Sequence, residues 1–400
     1  MLVFKEFENN EFSILDTEDN IIESISCEEL LNILCTTDLE IKGLSLNSKG
    51  FIVDDTKTVL YKPAKAKNSN LIKAKKAKND EFYTQLSDIE KELSHYPIET
   101  FKNKVIYCPC DSVDMSNGYI SNFAIYFYNN FKVLGIKKLI CTCYSDGINY
   151  FEYDGKAEIE DSRGSGDFRS EYCTKLLQEA DIVVTNPPFS LFRDFIAWVT
   201  QFEDKKFITL ADQNCITYKE IFPLLKNNKM WTGTQTGITS MMFEVPEHYP
   251  VPDYAYEWCK KHTDADYFSK HRLTYLRGIS WFTNVDIAKR HETLIGLSMQ
   301  DLIDKGVEFP KYDNYNAIDV SKVKEIPMDY DGVMGVPITY LYQYNPDQFE
   351  IMDARDFTNI EKLKKKETFL IKDKDGTING KACYARILIR HRKDENGKLI

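Results

Sequence analysis

Four short, nearly continuous apolar runs recur between residues 104 and 212, with a helix-length stretch in each gap. They are KVIYCPC (104–110), KKLICTCY (137–144), DIVVTN (181–186) and KFITLAD (206–212). In the gaps lie NFAIYFYNNFKVLG (122–135), CTKLLQEA (173–180) and LFRDFIAWVTQF (191–202), with apolar residues at helical spacing. Strands apolar on both faces and separated by helices of about 10–15 residues predict an α/β fold with a parallel sheet and crossover helices. Such a sheet takes nucleotide-like ligands outside the carboxyl ends of its strands. Farther on, MWTGTQTGITSMMFEVP (230–246) reads as two strands joined by a Gly-containing turn, an antiparallel pair for the sheet's edge. GISWFTNV (278–285) reads as another strand. From about residue 300 the alternation gives way to dense Asn, Asp, Tyr and Pro, which predicts a separate, loop-rich region.

Charge divides the chain differently. The formal net is −11 over 400 residues, which argues against a simple nucleic-acid binder. Yet residues 1–60 hold four Lys against thirteen Asp and Glu, a net of −9, and the remainder holds 47 basic and 49 acidic groups, a net of −2. Residues 1–60 read as a small acidic α+β module: EFSILDT as a strand, SCEELLNIL as a helix capped by Ser26, and EIKGLSLNSKGFIVDD as a hairpin around Asn47-Ser48. A solvated accessory unit, or one that binds an unidentified partner, fits it. KPAKAKNSNLIKAKKAK (62–78) has seven Lys and no acid, and is either a solvated linker or an arm for phosphates. No stretch approaches the roughly 20 apolar residues of a membrane span. MLVFKEFENNEF lacks the order of a secretion signal, so a cytoplasmic location with reduced thiols is expected for the ten Cys.

The most informative residues follow the strand DIVV: Asn186, Pro187, Pro188 and Phe189. Two prolines cannot continue a ladder, and they fix the chain in an extended turn. A strand needs only one Pro to end, so the flanking Asn and Phe call for another reason. An exocyclic amine conjugated to a ring is a poor nucleophile because its lone pair is delocalised. Two acceptors that take both of its N–H bonds make the nitrogen pyramidal and turn its lone pair toward a methyl donor. The side-chain oxygen of Asn186 and the carbonyl of Pro187 supply that pair, and Phe189 supplies a flat face for an extruded base. This is positioning and preorganisation without a strong base.

The tetrapeptide resembles the catalytic motif of amino methyltransferases that use S-adenosylmethionine. Asn in first place suggests adenine N6, although alone the motif also fits protein-glutamine and RNA-guanine enzymes. Asn79-Asp80-Glu81-Phe82-Tyr83-Thr84 resembles the motif that precedes the sheet in many adenine-N6 enzymes. The run from Cys108-Pro109-Cys110-Asp111-Ser112 through LGIKKLICTCY, GDFRS (166–170), NPPF, ISWFTN (279–284) and PITYLYQYNPDQFEI (337–351) is similar to the EcoRI-type family of adenine-specific DNA methyltransferases. The similarity spans about residues 79–390. It implies a Rossmann-like class I methyltransferase core with a mixed sheet over 79–298 and a target-recognition region over 299–400. It further implies S-adenosylmethionine as donor and double-stranded DNA as substrate, with a cognate restriction system as a companion.

Carried over by position, the resemblance puts Phe82, Tyr83 and Thr84 at the donor's methionine part. Asp111 and Ser112 stand where a Gly-rich loop is usual; there is no GxGxxG here, and VDMSNGYI makes the loop long. Asp146, with Tyr144 as rival, falls where an acid commonly holds the ribose. Asp167 and Phe168 would bond and stack the donor's adenine. Asn186 to Phe189 would be catalytic. A non-catalytic DNA-binding decoy of the same fold is the other reading the altered loop leaves open. Two C-x-C pairs, Cys108/Cys110 and Cys141/Cys143, lack the wider spacing zinc usually takes, so no metal is assigned. Arg386, Arg390, Arg392 and Lys393 are candidates for phosphate contact, and most C-terminal tyrosines are expected to pack.

Overall fold

The computed structural model describes residues 82–400 except 115–118, 145–146, 236–239, 248, 314, 353–376 and 383–385, with side chains throughout except at 119 and 382. Before residue 82 it describes only the backbone of seven strands. The chain divides into two units, Met1–Glu81 and Phe82–Ile400.

In the first unit, strands 21–26, 11–15, 2–8 and 41–42 lie side by side in that order. Strands 44–46, 52–54 and 59–61 form an antiparallel meander. The expected strand in EFSILDT and the expected hairpin are both present, the latter with Leu46 opposite Ile52. The helix expected over 27–34, the turn at Asn47-Ser48 and the Lys-rich stretch 62–78 lie outside the described residues. Ser26, expected to cap that helix, ends a strand.

Each of the four apolar runs forms a strand of the second unit. In chain order come β1 (Tyr83–Thr84), α1 (Leu86–Leu93), β2 (Val105–Cys108), α2 (Asn122–Asn129), α3 (Phe131–Leu134), β3 (Lys138–Thr142), β4 (Tyr150–Tyr153) and β5 (Glu158–Asp161). There follow α4 (Glu171–Glu179), β6 (Ile182–Thr185), α5 (Phe192–Val199), β7 (Lys206–Asp212), β8 (Trp231–Thr232), β9 (Met241–Glu244), β10 (Leu273–Leu276) and β11 (Ile279–Thr283). An eight-stranded mixed sheet has the order β5-β4-β3-β2-β6-β7-β11-β8. Its centre, β3-β2-β6-β7, is parallel, and both flanks are antiparallel. Strand order reverses between β2 and β6, which is where a doubly wound sheet leaves a crevice.

The central strands are apolar on both faces because both are covered. Alternate residues go to opposite sides. Val105, Tyr107, Ile140, Val183 and Phe207 meet Leu176 and Leu177 of α4 and Phe195 and Val199 of α5. Ile106, Cys108, Leu139, Val184 and Ile208 meet Ile89 and Leu93 of α1 and Phe123 and Phe127 of α2. Ser121 and Ser170 cap α2 and α4 by accepting from Ala124 N and Cys173 N, satisfying N–H groups the first turn leaves open. The single helix expected over 122–135 is two, because the Asn130 amide bonds back to Tyr126 O at 2.9 Å and its backbone leaves the helical range.

The pair of strands expected within 230–246 is not a hairpin. β8 joins the large sheet beside β11, and β9 enters a separate three-stranded sheet, β10-β9-β1. The intervening Thr234 and Gln235 are held instead by Glu92 of α1, a fully buried carboxylate. It accepts from Thr234 N at 2.8 Å, Thr234 Oγ1 at 2.7 Å and Gln235 N at 2.7 Å.

After residue 299 the chain adds β12 (Ala317–Asp319), β13 (Val333–Pro337), β14 (Phe349–Ile351) and β15 (Arg386–His391), a sheet of order β12-β13-β15-β14. Ile318, Met334, Val336, Phe349, Ile387 and Ile389 share one apolar cluster with Val105, Val183 and Phe207 of the large sheet. Tyr312, Tyr315, Tyr340 and Tyr344 are buried, as expected of packing residues. No helix among the described residues is long and apolar enough to cross a membrane.

Candidate active site

β6 ends because the chain must leave the ladder at Pro187, and Pro188 holds an extended backbone (φ −52°, ψ 125°) into the short turn Phe189–Leu191 and α5. This sets Asn186 at the carboxyl end of the central sheet, beside the strand-order reversal. Its amide is fixed by one bond: Nδ2 donates to Phe82 O at 2.7 Å. Its other atom, Oδ1, is buried and has no hydrogen-bond partner among the described residues. A buried unpaired acceptor is costly, so its retention calls for a donor from elsewhere.

Phe82 and Phe189 stack with ring centres 5.5 Å apart and planes 19° from parallel. Phe243 of β9 meets both edge-on, at 5.8 and 6.4 Å, and Tyr249 meets Phe82 at 5.3 Å. β1 is held against β9 by the pairs Tyr83–Glu244 and Thr84–Phe243, and Thr84 O accepts from Asn122 Nδ2 at 2.8 Å. Thr84 Oγ1 is, like Asn186 Oδ1, buried without a partner among the described residues. The chain therefore gathers Phe82, Thr84, Asn186 and Phe189, separated in sequence by about a hundred residues, around one spot. Phe243 and Tyr249 have no local sequence signal and were not anticipated there.

The turn after β2 joins this spot from the other side. Asp111 N bonds to Thr142 O of β3 at 2.9 Å, and its carboxylate accepts from Thr185 Oγ1 at 2.6 Å, directly before Asn186. Burial pushes the Asp111 carboxyl up to about 7, against the lowering effect of Thr185 and Ser121. Ser112 takes part through its backbone, where its carbonyl accepts from Ser121 N. Beyond β3, Tyr144 is 81% exposed and Asp146 lies outside the described residues.

Asp167 sits on a turn that runs against the end of β3. A Cβ on Gly166 would lie 1.8 Å from Cys143 O, and its φ is +65°, so only glycine permits this approach. Burial raises the Asp167 carboxyl, but the two-pronged bond from Arg169 (3.0 and 2.7 Å) outweighs it and leaves it below the usual range. Phe168 is 4% exposed and its ring packs on Phe195 and Trp198, so it presents no face to a ligand in this arrangement.

The C-terminal basic cluster is already engaged. Arg386 pairs with Asp319 (2.9 Å), Arg390 with Glu350 (2.6 Å) and Lys393 with Asp331 (2.6 Å), while Arg392 Nε donates to Pro346 O (2.6 Å). Each of these cations has a protein partner, so a phosphate meeting one of them would have to take that partner's place. Cys108 and Cys141 are register partners on β2 and β3, both buried, and burial pushes the Cys108 thiol up.

Residues 70–163 and 146–392 match the family described as adenine-specific methyltransferase EcoRI. The chain is 43% identical over 350 residues to the Type II methyltransferase M.EcoRI of Escherichia coli, covering 82% of this chain and 98% of that protein. It is 38% identical over 333 residues to M.MpnI of Mycoplasma pneumoniae and 37% identical over 326 residues to M.MgeORF184P of Mycoplasma genitalium, both Type II methyltransferases. Each alignment covers 80% of this chain and 97% or more of the relative. No solved structure matches it. The class defined is the site-specific DNA methyltransferases that modify adenine. Within it, the chain belongs to the EcoRI family of adenine-specific methyltransferases.

Proposed function

We propose that the chain transfers a methyl group from S-adenosylmethionine to N6 of an adenine extruded from duplex DNA, on a Rossmann-like core, with residues 299–400 choosing the sequence. The observation that carries the reading is Asn186, whose amide nitrogen is tied to Phe82 O while its buried oxygen has no partner among the described residues. That oxygen and the Pro187 carbonyl would accept the two N6–H bonds. The exocyclic nitrogen then turns its lone pair out of the ring plane. Phe189, backed by Phe82, would bear against the base.

The donor's place is supported by residues that fit it. Thr84 offers a buried hydroxyl without a partner among the described residues, and Phe82 and Tyr83 flank it. The turn at Asp111-Ser112 follows β2 beside Thr185, and Asp167 follows β5 on a turn that reaches Cys143 O; Tyr144 and Asp146 are the residues proposed for the ribose. When bound, S-adenosylmethionine supplies a methyl on a positively charged sulfur, so no catalytic metal is called for. The protein's part is to orient the amine, exclude water with aromatic rings and remove the surplus proton to solvent after transfer. Residues 1–60 lie outside the family match, and we assign them an accessory role with a partner of their own; a restriction enzyme of the same target is the other expected companion.

Asn186→Ala tests this reading. Turnover on duplex DNA should fall by about a thousandfold, the scale of losing one preorganised polar contact in a dry site, while calorimetric donor binding persists. Wild-type turnover in that variant would remove Asn186 from the chemistry. Equal labelling of RNA or of protein glutamine would redirect the substrate.

A further inference from the structure

The reaction needs a duplex held while one base leaves the stack, and extrusion costs a few kcal/mol that backbone contacts must offset. The described cations divide sharply in what they are free to do. Arg386, Arg390 and Lys393 are bound to carboxylates and Arg392 to a carbonyl, as given above. Two exposed arginines at the carboxyl edge of the sheet are placed otherwise. Arg193 lies on the first turn of α5, four residues after Phe189, with its guanidinium 5.2 Å from the centre of the Tyr218 ring. Arg277 lies in the turn between β10 and β11, 5.7 Å over Tyr275, and its Nη2 donates to the Tyr275 hydroxyl at 3.4 Å. Neither has a carboxylate partner within ion-pair distance among the described residues.

Register places both at the same end of the sheet. Thr185 pairs with Thr209 and Asp212 pairs with Ile279, so the turn at Arg277-Gly278 stands at the carboxyl end of β7. Gln213 N bonds to Gly278 O there at 2.6 Å, fixing the turn. β6 and β11 flank β7, so Arg277 and Asn186 are offset by about two strand spacings, roughly 10 Å, across the sheet, and Arg277 stands about four residues, roughly 13 Å, farther out along the strand direction. A guanidinium laid on a tyrosine loses less freedom on meeting a phosphate than one in open water, and Arg holds a phosphate with two bonds.

From this arrangement we infer that Arg193 and Arg277 are the phosphate clamps on either side of the extruded adenine. The inference rests on the reading of Asn186–Phe189 as the site that meets the base. DNA affinity of the full-length protein, read by fluorescence anisotropy on a duplex oligonucleotide from about 50 to 200 mM salt, tests it. Arg193→Gln and Arg277→Gln should each lower the magnitude of the salt slope by about one and raise the KM for DNA about tenfold, with the effect in KM rather than kcat. Arg193→Lys and Arg277→Lys should recover the slope. Lys393→Gln, in a paired position, should leave it at the wild-type value. Unchanged slopes in the two Arg→Gln variants, or an equal loss in Lys393→Gln, would overturn the inference. Asn186→Ala separates the two readings: it should keep the slope while losing turnover. Retained turnover there would refute the base site and leave the clamps to be judged on their slopes alone.

Discussion

Residue by residue, the site turns on polar atoms that lack a full set of protein partners and on one carboxyl kept from water. Asp111 is the sharpest case. Its carboxyl titrates near 7 in the folded chain, against 3.8 ordinarily, because burial disfavours the charge. Between about pH 4 and 7 the folded protein keeps a proton that the unfolded chain has shed. The unfolded state therefore binds fewer protons, and stability falls as pH rises through that window. Asp111→Asn keeps an acceptor for Thr185 and removes the charge. Denaturant unfolding at about pH 5 and pH 8 should then show a loss smaller than that of the wild type by on the order of 2–3 kcal/mol. An identical loss in both would mean Asp111 titrates normally. Asn186, Pro187 and Phe189 were legible in the sequence because their chemistry is local to four residues. The Asp111–Thr185 bond was not, since 74 residues separate its ends and nothing local marks either.

Elements were legible where periodicity is set by burial on two faces, as in β2, β3, β6 and β7. They were misread where a distant side chain decides the path. The stretch 230–246 has the composition of a hairpin, yet a carboxylate 142 residues earlier takes the N–H groups a turn would have used. Gly233 belongs to that grip: a Cβ on it would meet Glu92 Oε1 at 2.3 Å. Glu92→Ala would strand two backbone donors, Thr234 N and Gln235 N, in a buried place. Unfolding free energy should drop by on the order of 2–4 kcal/mol, with β8 losing hydrogen-exchange protection first. A drop below about 0.5 kcal/mol would show that water replaces Glu92 without loss. The basic strand β15 was recognised as a strand, but the ion pairs its cations make were not legible, because sequence displays charge and not its partners.

The whole molecule carries two different electrostatic characters. Nearly all the net negative charge lies in residues 1–60, before the family match begins at 70, and the relatives align over 97% or more of their length without spanning the whole of this chain. Deleting residues 1–60 should leave methylation intact and tighten non-specific DNA binding at about 50 mM salt, with the difference fading by about 200 mM. Equal affinity at low salt would make the acidic unit a bystander to DNA. Lost methylation would make it part of the enzyme.

One further consequence follows from the apolar cluster that runs from Val105 and Phe207 into Met334, Val336 and Ile387. The strands after residue 299 are not a cartridge that can be lifted out and replaced by a relative's. A graft at that boundary would cut through close-packed side chains, leaving voids and clashes on both sides of the seam. With residues 299–400 proposed to choose the sequence, a new target for this chain would be drafted in loops that leave the shared core untouched, and exchange of the whole C-terminal region would be a poor route to it.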